Sequence, residues 1–362
     1  MKVTLIAGAR PNFMKIAPIV HALEQAKNDG QDLTYRLIHT GQHYDKKLSE
    51  SFFKDLNIPE PHVNLGVGSG SHATQTANIL IKFEEELIEN PADYVLVVGD
   101  VNSTMACAIV AKKLHSKVIH VEAGLRSYDL TMPEEINRMA TDAITDIFYT
   151  TTPEAGYNLV RQGVETENIA LVGNTMIDSL VGNLDRLRQP EIYKELRLDQ
   201  NPFYVMTLHR PANVDEEQKL KYLLELISES SAGKPIIFPV HPRTKQILES
   251  LNFNGANIHM TPPLRYLEFM YLVKNSFAVI TDSGGIQEET TYLKIPCMTL
   301  RENTERPETV TLGTNVICGL DSQLIKDYFG QLNSGTWKSG TIPALWDGKA
   351  SQRIVKHLLE LV

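Results

Sequence analysis

Short runs of Val, Ile and Leu, each cut off by a polar residue, constrain this chain more than any other feature. The first half carries them at Val3–Ala7, Tyr35–His39, Tyr94–Val98, Val118–Val121, Ile147–Tyr149 and Ile169–Val172. The second half carries them at Phe203–Leu208, Ile236–Val240, Ile258–Met260, Val279–Thr281 and Pro296–Leu300. Near-continuous apolar strands belong to parallel sheets covered on both faces, so the expected class is α/β. Helices are expected between them, at Phe13–Lys27, at Ser103–Leu114, and at Ala73–Glu89 with Ala77, Leu80, Ile81 and Leu87 facing the core. At 362 residues the chain has room for two domains. The polar stretch Asn174–Leu198 reads as the linker between the halves.

The polar residues that end the strands form a second regularity. Arg10, Asp100, Glu122, His209, His241, Ser283 and Glu305 each sit just beyond the C-terminal end of an expected strand. Loops are polar anyway. In parallel sheets, however, ligands bind outside the carboxyl ends of the strands. The segment Thr281-Asp282-Ser283-Gly284-Gly285-Ile286-Gln287-Glu288-Glu289 reads as a strand end, a glycine turn and a helix start. Asp282 or Ser283 would cap that helix, and its free N–H groups suit phosphate. Glu289 would reach back toward sugar hydroxyls.

Other candidates follow from residue type. Arg10 can clamp a diphosphate, with Lys15 a helical turn further on. Asp100, Glu122 and Glu134 are carboxylates from separate loops that could meet on one sugar ring; paired carboxylates shift each other's protonation and suit acid/base work. Glu135, beside Glu134, reads as the more structural of the two. Arg126 and Arg138 are available as partners. His209 with Arg210 reads as a proton donor or phosphate ligand beside a cationic clamp. Tyr266 and Phe269 would either pack in the core or cover a flat base.

Several classes are excluded or disfavoured. The net charge of −9 argues against nucleic acid or an anionic membrane as the main partner. Gly8-Ala9-Arg10-Pro11 and Gly66-Val67-Gly68-Ser69-Gly70 lack the dinucleotide fingerprint, so no NAD is expected. Cys107, Cys297 and Cys318 are widely spaced, so no metal is expected and a cytoplasmic chain with buried thiols is.

An ordered set of motifs resembles the non-hydrolysing UDP-N-acetylglucosamine 2-epimerases over nearly the whole chain. It comprises Gly8-Ala9-Arg10-Pro11, Thr40-Gly41-Gln42-His43, Gly99-Asp100, His120 to Arg126, Pro133 to Arg138, Val172-Gly173-Asn174-Thr175, His209-Arg210, Thr281 to Glu289 and Thr304 to Glu308. The resemblance implies a glycosyltransferase type B architecture, two Rossmann-like doubly wound domains facing a central cleft. The expected ranges are 1–175 for the domain with the carboxylates and 176–345 for the UDP-binding domain. A final helix, 346–362, would pack back on the first.

By motif, Asp100, Glu122, Glu134 and His209 match the family's catalytic positions. Arg10, Lys15, Arg210, Phe269, Ser283, Gly284, Gly285 and Glu289 match its UDP-binding positions, and His241 and Arg306 look like cleft residues. The implied reaction interconverts UDP-GlcNAc and UDP-ManNAc, as supply for surface polysaccharide, in a homodimer. Gln42 and His43 match part of a second, activating UDP-GlcNAc site, but Asp45 stands where a glutamine is expected. Rival readings are an epimerase of UDP-2,3-diacetamido-glucuronic acid, a type B glycosyltransferase, a hydrolysing 2-epimerase and a non-catalytic UDP-sugar sensor.

Overall fold

The computed structural model describes residues 1–42, 53, 55–240, 242–250, 253 and 255–361. They divide into two compact units, Met1–Gly182 with Ala344–Val362, and Asn183–Pro343.

The first unit holds a seven-stranded parallel sheet. Its strands are β1 (Lys2–Ala7), β2 (Thr34–His39), β3 (Val63–Asn64), β4 (Tyr94–Val98), β5 (Lys117–Val121), β6 (Ile147–Thr150) and β7 (Ile169–Leu171). Their order is β3-β2-β1-β4-β5-β6-β7. The helices used below are α1 (Arg10–Asn28), α2 (His72–Glu89), α3 (Asn102–Lys113), α4 (Pro133–Asp142), α5 (Pro153–Arg161) and α6 (Thr175–Asn183).

The second unit repeats the plan with six parallel strands: β8 (Tyr204–Thr207), β9 (Ile236–Pro239), β10 (Ile258–Thr261), β11 (Ala278–Thr281), β12 (Cys297–Thr299) and β13 (Asn315–Ile317). Their order is β10-β9-β8-β11-β12-β13. Helix α7 (Tyr266–Asn275) precedes β11, and α8 (Gly284–Leu293) follows it. In each sheet the order reverses direction once among the central strands, between β1 and β4 and between β8 and β11. Such switch points open a crevice at the carboxyl end of the sheet.

Central strands such as β4 are buried along their whole length, as covered parallel strands must be. The buried face of α2 is Gln75, Ile79, Phe83 and Leu87. This corrects the expected face, since Ile81 is 57% exposed. Two apolar stripes overlap on this helix, and the sheet takes the one with unbroken four-residue spacing. Short edge strands β3 and β13 have too few residues to show a period in sequence. The three cysteines are free and buried. Among the described residues no helix is long and apolar enough to cross a membrane.

The division between the units falls inside the stretch read as a linker. Helix α6 belongs to the first unit, with Met176, Ile177 and Leu180 buried there. The last helix, α9 (Ala350–Glu360), lies against α1. Asp178 of α6 accepts the N–H groups of Ala350 and Ser351 at 3.0 and 2.7 Å, satisfying two free donors of its first turn. Trp346 donates to the Thr151 carbonyl at 3.2 Å.

Gly173 is the tightest point of this seam. Its φ is +95°, and a Cβ there would stand 2.1 Å from the Leu345 carbonyl oxygen. Gly173→Ala is therefore expected to lower stability by roughly 3 kcal/mol, read as a shift of the urea midpoint. An unchanged midpoint would show that the seam yields freely.

Candidate active site

The first unit assembles its polar groups at the switch point. Helix α1 opens with Arg10 and Pro11, proline being suited to a position where no N–H is needed. The Asn12 side chain accepts the N–H of Gly8 and Ala9 at 3.2 and 2.9 Å and donates to the Val98 carbonyl at 3.1 Å. This clamps the β1 turn to the end of β4. One turn further along α1, the buried Lys15 forms an ion pair with the buried Glu122, which follows β5. A Cβ on Gly99 would lie 3.1 Å from Lys15 Nζ and 4.0 Å from Glu122 Oε2. Lys15, Glu122 and the Gly99-Asp100 turn are thus neighbours. Glu122 has φ +72°, a left-handed conformation that few non-glycine residues adopt.

Helix α4 carries the rest. Arg138 pairs with Asp100 and, at 2.7 Å, with Glu135. Asn137 donates to the Asp100 carbonyl at 2.9 Å. Glu135 also accepts the N–H groups of Ser127 and Tyr128, each at 3.0 Å. Burial pushes the Glu135 carboxyl up, but these N–H groups and Arg138 outweigh it and hold it below the usual range. Glu135 is thus committed to the scaffold. Its neighbour Glu134 is half-buried and lines a cavity of about 280 Å³ with Asp100, Gln42, His72, Gln75 and Asn102.

In the second unit the centre is Asp282, fully buried after β11. It caps no helix. Its carboxylate accepts the N–H of His209 at 3.1 Å and of Arg210 at 3.0 Å, and the Asn213 amide at 3.0 Å. His209 Nδ1 lies 2.8 Å away, on a ring that is 63% exposed. Arg210 Nε donates to the Asp282 carbonyl at 3.1 Å. Burial raises Asp282, yet the His209 and backbone hydrogen bonds win and keep its carboxyl below the ordinary value. The turn after β8 is thereby bound to the turn after β11, across the second switch point.

Ser283 stands at the N-cap of α8 without a side-chain capping bond, so neither expected cap is made. Asp282 is spent on the neighbouring turn, and Ser283 N donates to Thr281 Oγ1 at 3.0 Å. Gly284 and Gly285 form the first turn of α8. A Cβ on Gly284 would come within 2.7 Å of Glu305 Oε1 and 2.9 Å of Arg306 Nη1. A larger residue here would have to displace the ends of these two side chains. Arg306 pairs with Glu288 at 2.6 Å and Glu305 at 2.7 Å, and Arg301 pairs with Glu305 at 2.7 Å.

Glu289 lies buried in α8 and accepts the Tyr266 hydroxyl at 2.9 Å. Burial, with the nearby Glu288 charge, pushes its carboxyl up to about 8 against the opposing pull of Tyr266. Tyr266 therefore serves a carboxyl rather than only the core. Phe269, on the same helix, is half-buried.

In the first unit Lys15, Glu122 and the Asp100 turn come together, and in the second the His209-Arg210 turn meets the turn that leads to Ser283. His241, His43 and Asp45 lie outside the described residues. Asn213 and the buried pair His120 and Asp142 were not foreseen; Asp282 was read only as a helix cap, and Arg126 only as an available partner.

The profile of UDP-N-acetylglucosamine 2-epimerase matches residues 25–359. The UDP-N-acetylglucosamine 2-epimerase of Methanocaldococcus jannaschii is 42% identical over 371 residues, covering 99% of each chain. A crystal structure of the UDP-GlcNAc 2-epimerase from that organism, in complex with UDP-GlcNAc and UDP, has a TM-score of 0.88 at 40% identity and covers 99% of this chain and 100% of that one. The UDP-2,3-diacetamido-2,3-dideoxy-D-glucuronate 2-epimerase of Pseudomonas aeruginosa is 36% identical over 364 residues, covering 100% of both. Two parallel α/β units with these strand orders have the type B glycosyltransferase architecture. Profile, whole-length identity and fold agree, and the chain belongs to the UDP-N-acetylglucosamine 2-epimerase family.

Proposed function

We propose that the protein interconverts UDP-N-acetylglucosamine and UDP-N-acetylmannosamine by eliminating UDP and adding it back. The observation that carries the reading is the meeting of Glu122, Lys15 and the Gly99-Asp100 turn at the first switch point. Carboxylates so placed suit proton transfer, and the helix start after β11 suits a diphosphate.

In the forward step a carboxylate takes the C2 proton. The C2–H electron pair forms the C1–C2 double bond, and the C1–O bond breaks with its electrons leaving on the diphosphate. The product pair is 2-acetamidoglucal and UDP. In the return step a diphosphate oxygen bonds to C1 while another acid delivers a proton to the opposite face of C2. Electrons balance without an oxidant, so the reaction needs no NAD.

Asp100, Glu122 and Glu134 are assigned the proton transfers, with Lys15 as the charge partner of Glu122. Arg10, Arg210, His209 and the N–H groups at Ser283, Gly284 and Gly285 are assigned the departing diphosphate, where fixed donors stabilise developing charge. Glu289 is assigned the ribose hydroxyls, Phe269 the base, and His241 and Arg306 the remaining nucleotide contacts. The active form is taken to be a homodimer.

Proton NMR in heavy water tests the reading. The manno-configured anomeric signal should grow from UDP-GlcNAc with no acceptor present, and C2 should carry deuterium. Product without deuterium at C2 would rule out elimination. The likeness to the Pseudomonas aeruginosa enzyme supports a second substrate, the UDP-2,3-diacetamido uronate. If UDP-GlcNAc is inert and that compound turns over, the second reading replaces the first.

A further inference from the structure

His120 stands two residues before Glu122 and is fully buried. Its Nδ1 lies 2.7 Å from Asp142 Oδ1, and its Nε2 lies 2.8 Å from the carbonyl oxygen of Gly99, the residue before Asp100. The second Asp142 oxygen takes the Gly124 N–H at 3.2 Å and Arg126 at 2.6 Å. One imidazole thus touches the turn after β4 directly and the turn after β5 through one carboxylate. Both turns leave the sheet in left-handed backbone, with φ of +68° at Gly99, +72° at Glu122 and +78° at Gly124. A left-handed glutamate persists only where its surroundings hold it.

The partners also fix which way the ring faces. A main-chain carbonyl can only accept, so Nε2 carries a hydrogen and donates it to Gly99. Nδ1 faces Asp142, whose other oxygen is already taken by the Gly124 N–H and Arg126. In a site this dry, losing either contact leaves a buried polar group unpaired, which is costly.

We propose that His120, bridging Asp142 and the Gly99 carbonyl, is a positioning residue that holds the Asp100 and Glu122 turns in register for proton transfer at C2. This rests on the epimerase reading and adds a residue to it. His120 acts through the backbone at Gly99 and Gly124. A histidine that merely filled the core would cost stability on replacement and leave turnover per folded molecule unchanged.

Two substitutions separate its two bonds. His120→Asn keeps a donor near the Nδ1 position, facing Asp142, and loses the one to Gly99. His120→Gln keeps a donor near the Nε2 position, facing Gly99, and loses the one to Asp142. The expected kcat loss for His120→Asn is about 100-fold, since small misplacements of reacting groups have that effect. His120→Gln should retain more activity. UDP affinity by calorimetry should change far less than kcat in both, because every assigned nucleotide group except Arg10 belongs to the second unit. In the wild-type protein, nitrogen-15 NMR should show a hydrogen on His120 Nε2, the nitrogen that faces the Gly99 carbonyl.

Unchanged kcat in both variants, greater loss in His120→Gln than in His120→Asn, or an Nε2 without its hydrogen would each overturn the proposal. If neither variant folds, the ring-nitrogen signals of the wild type decide. If the wild type itself fails to place deuterium at C2, the epimerase reading fails, and the ring signals still report on His120.

Discussion

Glu289→Gln is expected to stabilise the protein by about 3 kcal/mol at pH 7 while weakening UDP binding about tenfold. The Glu289 carboxyl is buried and pushed up to about 8 from its ordinary 4.5. Because the folded value is the higher one, the folded state holds its proton more tightly than the unfolded chain. Stability is therefore fully present below about pH 4.5, falls as pH rises from there, and stops falling above about 8. Glutamine resembles the neutral acid, accepts from Tyr266 and does not titrate. Urea midpoints of the two proteins should coincide near pH 4.5 and separate steadily toward pH 8. Parallel midpoints across that range would mean that Glu289 is ionised in the folded protein.

The second large effect concerns Lys15 and Glu122. Lys15→Met should lower stability by about 3 kcal/mol, because it removes one member of a buried ion pair with Glu122. Glu122→Gln strands the lysine and should cost a similar amount. The double variant Lys15→Met/Glu122→Gln should recover most of the stability, since both charges are gone. Turnover should stay about 100-fold or more below wild type in all three, as expected on removing a proton-transfer group or its partner. Denaturation curves and NMR turnover assays on the same samples separate the two quantities. A double variant with wild-type turnover would remove Glu122 from the chemistry.

Much of this fold was legible because its strands are buried on both faces. The run Tyr94–Val98 was read with the bounds that β4 has, and the strands flanking both switch points were placed within one residue at each end. Edge strands β3 and β13 escaped because two or three residues define no pattern. On α2 the composition was right and the face was wrong, since Ile81 satisfies helical spacing but points outward.

The site divides in the same way. A polar residue directly after an apolar run marks a strand end, which is how Asp100, Glu122, His209 and Ser283 came into view. What each one touches depends on partners far away in the chain. Asp282 looked like a helix cap from its neighbours, yet it serves the turn 73 residues earlier. Tyr266 looked like core or a base cover, and its hydroxyl is bound to a carboxyl 23 residues on. Local spacing carries no trace of such pairings.

The discontinuity of the first unit bears on how the molecule is made. Its closing helix α9 follows the whole second unit in sequence, and α1, near the opposite end, is the surface against which it lies. Domains fold as units during synthesis, at roughly 5–20 residues per second. The contiguous second unit has everything its sheet needs once Pro343 has left the ribosome. The earlier-made unit must still wait, with one side of α1 bare, until Ala350–Glu360 arrives. The later-made half is therefore the one able to finish first, and the exposed flank of α1 is where a chaperone would find nascent chains of this protein.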